Sequence, residues 1–309
     1  MPYTQEILKK IAQLETICGR DVGRGIEPLF QVAKGGLLGA ARAIAEHYSP
    51  HVAIITGFFL PDGNPPAPET DGLIGCAQLA AGLNRAGIPV RIVTDDLCIN
   101  AVKTAVVAAD AASIPFDIVP VEKVRSHQQS VAALLNLWES TEPPVSHVIS
   151  IERAGPGADG IIRNMRGQDI TAHTPPLHLL FGSNKIISVG IGDGGNELGM
   201  GNIPFEIISQ NIRYGEKIAC ITKSDHLIVC GVSNWGATGL LTALSLLRPD
   251  WKAAIVLGLN TDIELQILKT TVKHGPAVDG IKGVQSLSVD NLPWEIHAQM
   301  LRELTQLMG

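Results

Sequence analysis

HVAIITGFFLPDGNPPAPETDGLIGCAQLAAGLNRAGIPVRIVT, His51–Thr94, reads as one strand–helix–strand unit. His51–Thr56 and Pro89–Thr94 are short, β-branched apolar runs, and runs of that length and kind read as strands. Between them Asp71–Ala86 follows a helical pattern of aliphatic and small residues. Gly87-Ile88-Pro89 punctuates the join, because glycine closes a helix and proline bars its continuation into the next run. Working outward, the alternation repeats. Phe116–Val119, Val145–Ser150, Lys185–Val189 and Leu227–Cys230 read as strands. Asp95–Asp110, Glu122–Glu139 and Ser233–Leu247 read as the helices between them, Pro293–Met308 as a C-terminal helix, and Met1–Arg20 as an amphipathic helix. Strands separated by helices imply right-handed crossovers. The expected fold is α/β, a mostly parallel sheet with helices on both faces. Residues 1–309 read as a single domain, with 1–48 a helical segment packed on it.

The bulk numbers agree with a buried sheet. Of 309 residues, 45% are hydrophobic and 17% charged, and 32 are glycine, a small-aliphatic diet suited to strands buried on both faces. The net charge is −6 and no basic run appears; phosphate neutralisation needs clustered Lys and Arg, so nucleic acid is not an expected partner. Five cysteines, Cys18, Cys76, Cys98, Cys220 and Cys230, are never spaced CxxC, which disfavours a zinc ribbon or a disulfide framework. No apolar run approaches the ~18 residues of a membrane span, and no secretory h-region is visible. A reducing compartment is expected, the cytoplasm or an organelle matrix.

Three irregular segments follow predicted strands: Pro61–Pro68, Ile151–Pro176 and Gly190–Asn202. Long loops in compact domains are often functional. Loops that all follow strands of a parallel sheet converge on one edge, which is where ligands bind. The third segment holds Gly190-Ile191-Gly192-Asp193-Gly194-Gly195-Asn196-Glu197. Read mechanically it satisfies GxGxxG, but Asp193 would set a carboxylate against pyrophosphate, and the loop follows the fifth strand rather than the first. The better reading is a tight turn that presents Asp193 and Glu197 to a ligand; the structural alternative is a turn with Asn196 as a helix N-cap. Asp71, in Glu69-Thr70-Asp71-Gly72, is either the N-cap of its own helix or a carboxylate at the sheet edge. Glu152-Arg153-Ala154-Gly155 and Asn164-Met165-Arg166-Gly167-Gln168-Asp169, with Arg163, bring acids and arginines together after a strand. Arginine's planar fork suits carboxylates; the structural alternative is an ion-pair network that orders the loop. Asp95 reads as a cap, and Lys34–Gly39 lacks the GK[ST] of a phosphate loop.

Taken together, Thr56-Gly57-Phe58, Glu69-Thr70-Asp71-Gly72, Thr94-Asp95, Glu152-Arg153-Ala154-Gly155, Asn164-Met165-Arg166-Gly167 and Gly192–Gly201 resemble, in order, the signatures of the D-glutamate cyclase family. The resemblance implies a hydro-lyase that converts D-glutamate to 5-oxo-D-proline and water, with a small acidic metabolite as partner. In this reading Asp71, Glu152 and Asp193 are expected to hold a divalent cation, Mn²⁺ or Mg²⁺, since oxygen-only donors favour these over zinc. Glu197 or Asp169 is expected to move protons. Arg153 or Arg166 would anchor substrate, with Asn164, Gly194 and Gly195 completing its contacts. Neither NAD nor haem is expected, and a homo-oligomer is compatible with the sequence. Two other readings fit the same acids: a Mn- or Mg-dependent phosphohydrolase, and a non-catalytic binder of an acidic metabolite.

Overall fold

The computed structural model describes residues 3–122 and 127–309. Six strands form the central sheet: β1 Val52–Thr56, β2 Val90–Asp95, β3 Phe116–Val119, β4 His147–Ile151, β5 Ile187–Gly192 and β6 His226–Val229. All neighbours pair parallel, in the spatial order β3-β2-β1-β4-β5-β6. The chain winds outward one way from β1 and the other way from β4. The two strands lie side by side, with Thr56 opposite Ile151 at their C-terminal ends. Connections leave such a pair in opposite directions and open a crevice at that edge. The α/β reading therefore holds, and the three loops do follow strands that end together.

Side chains alternate along each strand and feed separate cores. Val52 and Ile54 of β1 join the core beneath helices Gln5–Cys18, Gly36–Ala45, Leu73–Arg85 and Ser233–Leu247. Ala53 and Ile55 face the other way, toward Val131, Leu134 and Trp138 of helix His127–Ser140. On β6, Leu227 and Val229 pack with Leu29 and Phe30 of helix Glu27–Ala33, while Ile228 joins the first core. Every residue of Ser233–Leu247 is buried, and the segment accordingly carries no charged side chain on any face. It lies close against Leu73–Arg85: a Cβ at Gly82 would sit 2.6 Å from Leu241 Cδ2. Gly82→Ala would make the Leu241 side chain repack, at a cost of about 1–3 kcal/mol.

Several boundaries differ from the sequence reading. β5 runs three residues into the glycine stretch, to Gly192. Pro61–Pro68 is not wholly irregular, because Phe59–Leu60 and Ala67–Pro68 pair as a small antiparallel ribbon. The helix expected at Glu122–Glu139 is observed over His127–Ser140, and positions 123–126 lie outside the described residues. Helices Pro249–Val256 and Thr261–His274 have no counterpart in that reading. After them the chain returns to the sheet's C-terminal edge, where Val278 and Val284 bridge to Glu69 and Asn64. All five cysteines are buried and free. Among the described residues no helix is long and apolar enough to cross a membrane.

Candidate active site

Gly72 adopts φ +80° and is the N-cap of helix Leu73–Arg85, without a side-chain cap bond. Its conformation turns the Asp71 carboxylate away from that helix. Asp71 Oδ1 accepts from Gly72 N at 2.8 Å and Asn234 N at 2.9 Å, and Oδ2 accepts from Ser233 N at 2.9 Å. Asp71 thus satisfies the first amides of Ser233–Leu247, across the crevice, and not those of its own helix. A carboxylate is favoured there by the free N–H groups and the positive end of the helix dipole. One residue past β4, Glu152 is held at φ +47° and accepts from Ser233 Oγ at 2.5 Å. The same helix start therefore ties together the acids that follow β1 and β4.

The glycine loop is built around Glu197. Its Oε1 accepts from Asp193 N at 3.2 Å and Gly194 N at 2.7 Å, and Oε2 accepts from Gly195 N at 2.8 Å. The amides that could have cradled a phosphate are thereby bound within the loop. No helix starts at Asn196; the next one is Phe205–Asn211, and Asn196 Nδ2 instead donates to Arg163 O at 2.9 Å. The turn leaves Asp193 only 2% exposed, with Oδ1 on Arg24 Nη1 and Oδ2 without a hydrogen-bond partner.

Arg24 lies in the connection between helices Gln5–Cys18 and Glu27–Ala33, and its other guanidinium nitrogen, Nη2, is 2.7 Å from Asp290 Oδ2. Asp290 belongs to the segment that returns after helix Thr261–His274. Carboxylate oxygens of Asp71, Asp193 and Asp290 lie within 4.8 Å of one another, and so do those of Glu152, Asp193 and Glu197. Asp193 is common to both sets. With Glu69, six buried carboxylates share this edge. A cavity of about 350 Å³ opens onto four of them, Glu69, Glu152, Asp193 and Asp290, with Arg24, Asn164, Arg166 and Arg213 also on its wall.

This charge imbalance is expressed in the titration behaviour. Burial, and then the Asp290 carboxylate, push Asp71 up to about 7. Glu69 is raised well above the usual carboxylate range by burial and by Asp290 and Asp71. Glu152 is raised by burial and by Asp193 and Glu197. Burial raises Asp193 too; Arg24 opposes the shift, but Asp290 and Asp71 reinforce it. For Arg24 burial works against the charged form, yet Asp193, Asp290, Glu152 and Asp71 overcome it and hold the guanidinium charged. Such a site holds extra protons at neutral pH or accepts added positive charge.

The sequence-derived candidates fall into three groups. Asp71, Glu152, Asp193 and Glu197 are brought together. Asn164 and Arg166 reach the cavity wall, where Asn164 Oδ1 accepts from Arg166 N at 2.9 Å and Arg166 Nη2 donates to Ile281 O at 3.0 Å. Arg153 and Asp169 are engaged elsewhere. Arg153 is 1% exposed, with Nη1 on Gly57 O at 2.6 Å and Asp95 Oδ2 at 2.5 Å, and Nη2 on Pro175 O at 3.2 Å. It pins three strand-end loops together. Asp95, read as a cap, both caps Leu97 and Cys98 and holds Arg153. Asp169 is exposed and accepts from Thr171 N at 2.8 Å. Gly194 and Gly195 donate their amides to Glu197. Sequence reasoning missed Arg24 and Asp290, and it did not single out Glu69 for a role.

The family model described as D-glutamate cyclase-like, C-terminal, matches residues 14–305. The human protein named D-glutamate cyclase, mitochondrial, is 33% identical over 325 aligned positions, covering 97% of this chain and 52% of the relative. The chain thus spans about half the length of that curated relative. With nearly its whole length matched, and with all the resembling motifs inside the match, the chain belongs to the D-glutamate cyclase-like family, in its C-terminal region.

Proposed function

We propose that this chain is a hydro-lyase that closes D-glutamate into 5-oxo-D-proline and releases water. The observation that carries the reading is the buried carboxylate cluster around Arg24, set in a cavity where the sheet's strand order reverses, in a chain of this family. Ring closure makes four demands. The substrate's carboxylates must be recognised, its α-ammonium must lose a proton, its γ-carboxylate must be neutralised, and an oxygen must leave as water.

Arg166 and Arg213, on the cavity wall, suit carboxylate recognition through paired N–H donors. Asp71, at about 7, is poised to take a proton from the ammonium at neutral pH and to return it. Burial, with Asp193 and Glu197 beside it, favours the protonated form of Glu152, which can donate to the departing oxygen. Asp169 is exposed and bonded to Thr171 N, so in this reading the proton work falls to Asp71 and Glu152. The donor set also fits a divalent cation: it is all oxygen, it carries excess negative charge, and Asp193 Oδ2 has no partner. Asp71, Asp193 and Asp290, or Glu152, Asp193 and Glu197, would hold it. Bound there, Mn²⁺ or Mg²⁺ would supply charge neutralisation and polarise a carboxyl oxygen.

The test is product formation from D-glutamate and from L-glutamate, with and without Mn²⁺ or Mg²⁺, beside a phosphate-monoester assay on the same sample. The expected result is 5-oxo-D-proline, with L-glutamate the poorer substrate. A folded sample that makes none across the metal series, or that hydrolyses the phosphate ester instead, would overturn the proposal.

A further inference from the structure

Arg24 stands where a metal ion would be expected. Its two terminal nitrogens take Asp193 and Asp290, two of the three carboxylates that converge within 4.8 Å with Asp71. The third, Asp71, has both oxygens turned to helix amides. Asp193 Oδ2 is left without a partner although the residue is 2% exposed and lines the cavity. That oxygen is an independent sign of a missing positive ligand, because a buried carboxylate oxygen is otherwise paired.

The segment that carries Arg24 is constructed as a unit. Asp21 accepts from the amides of Gly23, Arg24 and Gly25 at 2.7–2.9 Å. Gly23 and Gly25 both adopt positive φ, +97° and +82°, which lets the chain coil around Asp21. The segment is fastened before the coil by Gly231 N on Cys18 O at 2.8 Å and after it by the fully buried Ile26. Between these points, the side-chain ion pairs that tie Arg24 to the sheet edge are those to Asp193 and Asp290.

We propose that Arg24 is a built-in counter-ion that competes with the divalent cation for Asp193 and Asp290, so that cation binding releases the Arg24 coil. This rests on the cation reading above. A guanidinium and a divalent ion on the same two carboxylates repel strongly at this separation, and both need the same oxygen lone pairs. Arg24 therefore lowers the apparent cation affinity of the resting protein, and the cation gains its ligands only as the coil lets go.

The experiment is equilibrium titration with Mn²⁺ alone, without substrate, following free Mn²⁺ by electron paramagnetic resonance in wild type, Arg24→Gln and Arg24→Lys. Arg24→Gln is expected to bind Mn²⁺ at least ~10-fold more tightly than wild type, with Arg24→Lys close to wild type because the positive charge is kept. Amide hydrogen exchange of Gly23–Gly25 in wild type should rise at saturating Mn²⁺. This second readout decides the matter if Arg24→Gln does not fold. Equal or weaker Mn²⁺ binding by folded Arg24→Gln, or unchanged exchange in saturated wild type, overturns the competition and leaves the cation reading standing. Absence of Mn²⁺ binding in wild type and variant alike overturns both.

Discussion

Asp290→Asn removes one charge from the acidic cluster while leaving the backbone at rest. Asp290 sits at φ +54°, followed by Asn291 at +63°, and asparagine tolerates the left-handed region as well as aspartate does. The side chain is 5% exposed, and its Oδ2 pairs with Arg24 at 2.7 Å. Stripping one partner from a buried ion pair costs about 3–5 kcal/mol when the other charge is left alone. Arg24 keeps Asp193, so the loss is smaller, and the repulsion that Asp290 exerts on Glu69, Asp71 and Asp193 is relieved. The net stability change should stay within about 2 kcal/mol.

Activity should respond far more, falling about 100-fold or further if Asp290 supplies charge to the reacting centre. The pH profile carries an independent signature. After burial, Asp290 is the largest cause holding Asp71 at about 7, so the variant's Asp71 should titrate lower, toward its ordinary 3.8. The limb of the kcat/KM profile that reports Asp71 then moves to lower pH, because less repulsion means easier ionisation. The assay is 5-oxo-D-proline formation from D-glutamate between pH 5 and about 9, beside urea unfolding of both proteins. A folded Asp290→Asn enzyme with unchanged kcat/KM and an unmoved profile would refute the reasoning and place the chemistry away from the Asp71–Asp193–Asp290 set.

Three further outcomes test the rest of the framework. Arg153→Met should cost about 3–5 kcal/mol in urea unfolding, since it leaves Asp95 buried without its cation; a tenfold rise in KM at unchanged stability would return Arg153 to the substrate. His147, fully buried with Nε2 unpartnered, is held down at about 4 chiefly by burial. The folded state therefore binds fewer protons there than the unfolded one, and wild type loses up to about 3 kcal/mol as pH falls from 6.5 toward 4; His147→Phe should remove that part of the loss, and identical pH dependence in the two proteins would sink the assignment. Glu264 is pushed up to about 8 by burial, with only Arg302 opposing. Its folded form keeps a proton the unfolded chain gives up, so stability declines as pH rises from 4.5 through 8. Glu264→Met should be more stable than wild type at pH 9 by about 2–4 kcal/mol and by much less at pH 4, as read from urea midpoints.

The sheet could be read from the chain because parallel strands buried on both faces must be unbroken apolar runs. Val52–Thr56, buried along its whole length, matches the sequence reading within a residue, and so do the less completely buried edge strands Phe116–Val119 and His226–Val229. β5 was cut short for a physical reason. Gly190 and Gly192 lack the side chains that mark a strand, yet they are needed because the loop folds back over the strand end; a Cβ at Gly190 would meet Leu198 O at 2.4 Å. Asp71 shows a different limit. Its position before a helix advertises a local cap, and local pattern cannot reveal that the carboxylate is spent on a helix start more than 160 residues later.

Arg24 and Asp290 were out of reach for a stronger reason. The acids after β1, β4 and β5 are placed by the sheet itself, so a strand followed by an acid is a usable signal. Arg24 comes from a coil organised by Asp21 and Asp290 from a left-handed turn, and each meets Asp193 only because two segments outside the sheet close over its edge. Nothing periodic encodes that meeting. What demands it is charge: carboxylates gathered at one buried edge need positive partners, and Gly23-Arg24-Gly25 sets an arginine between two glycines where it reaches inward to supply one. The buried acids are thus the part of the site that the fold imposes, and the cation facing them is the part that tertiary closure supplies. For that reason the Arg24 and Asp290 variants probe the assembled site more directly than any substitution in the sheet.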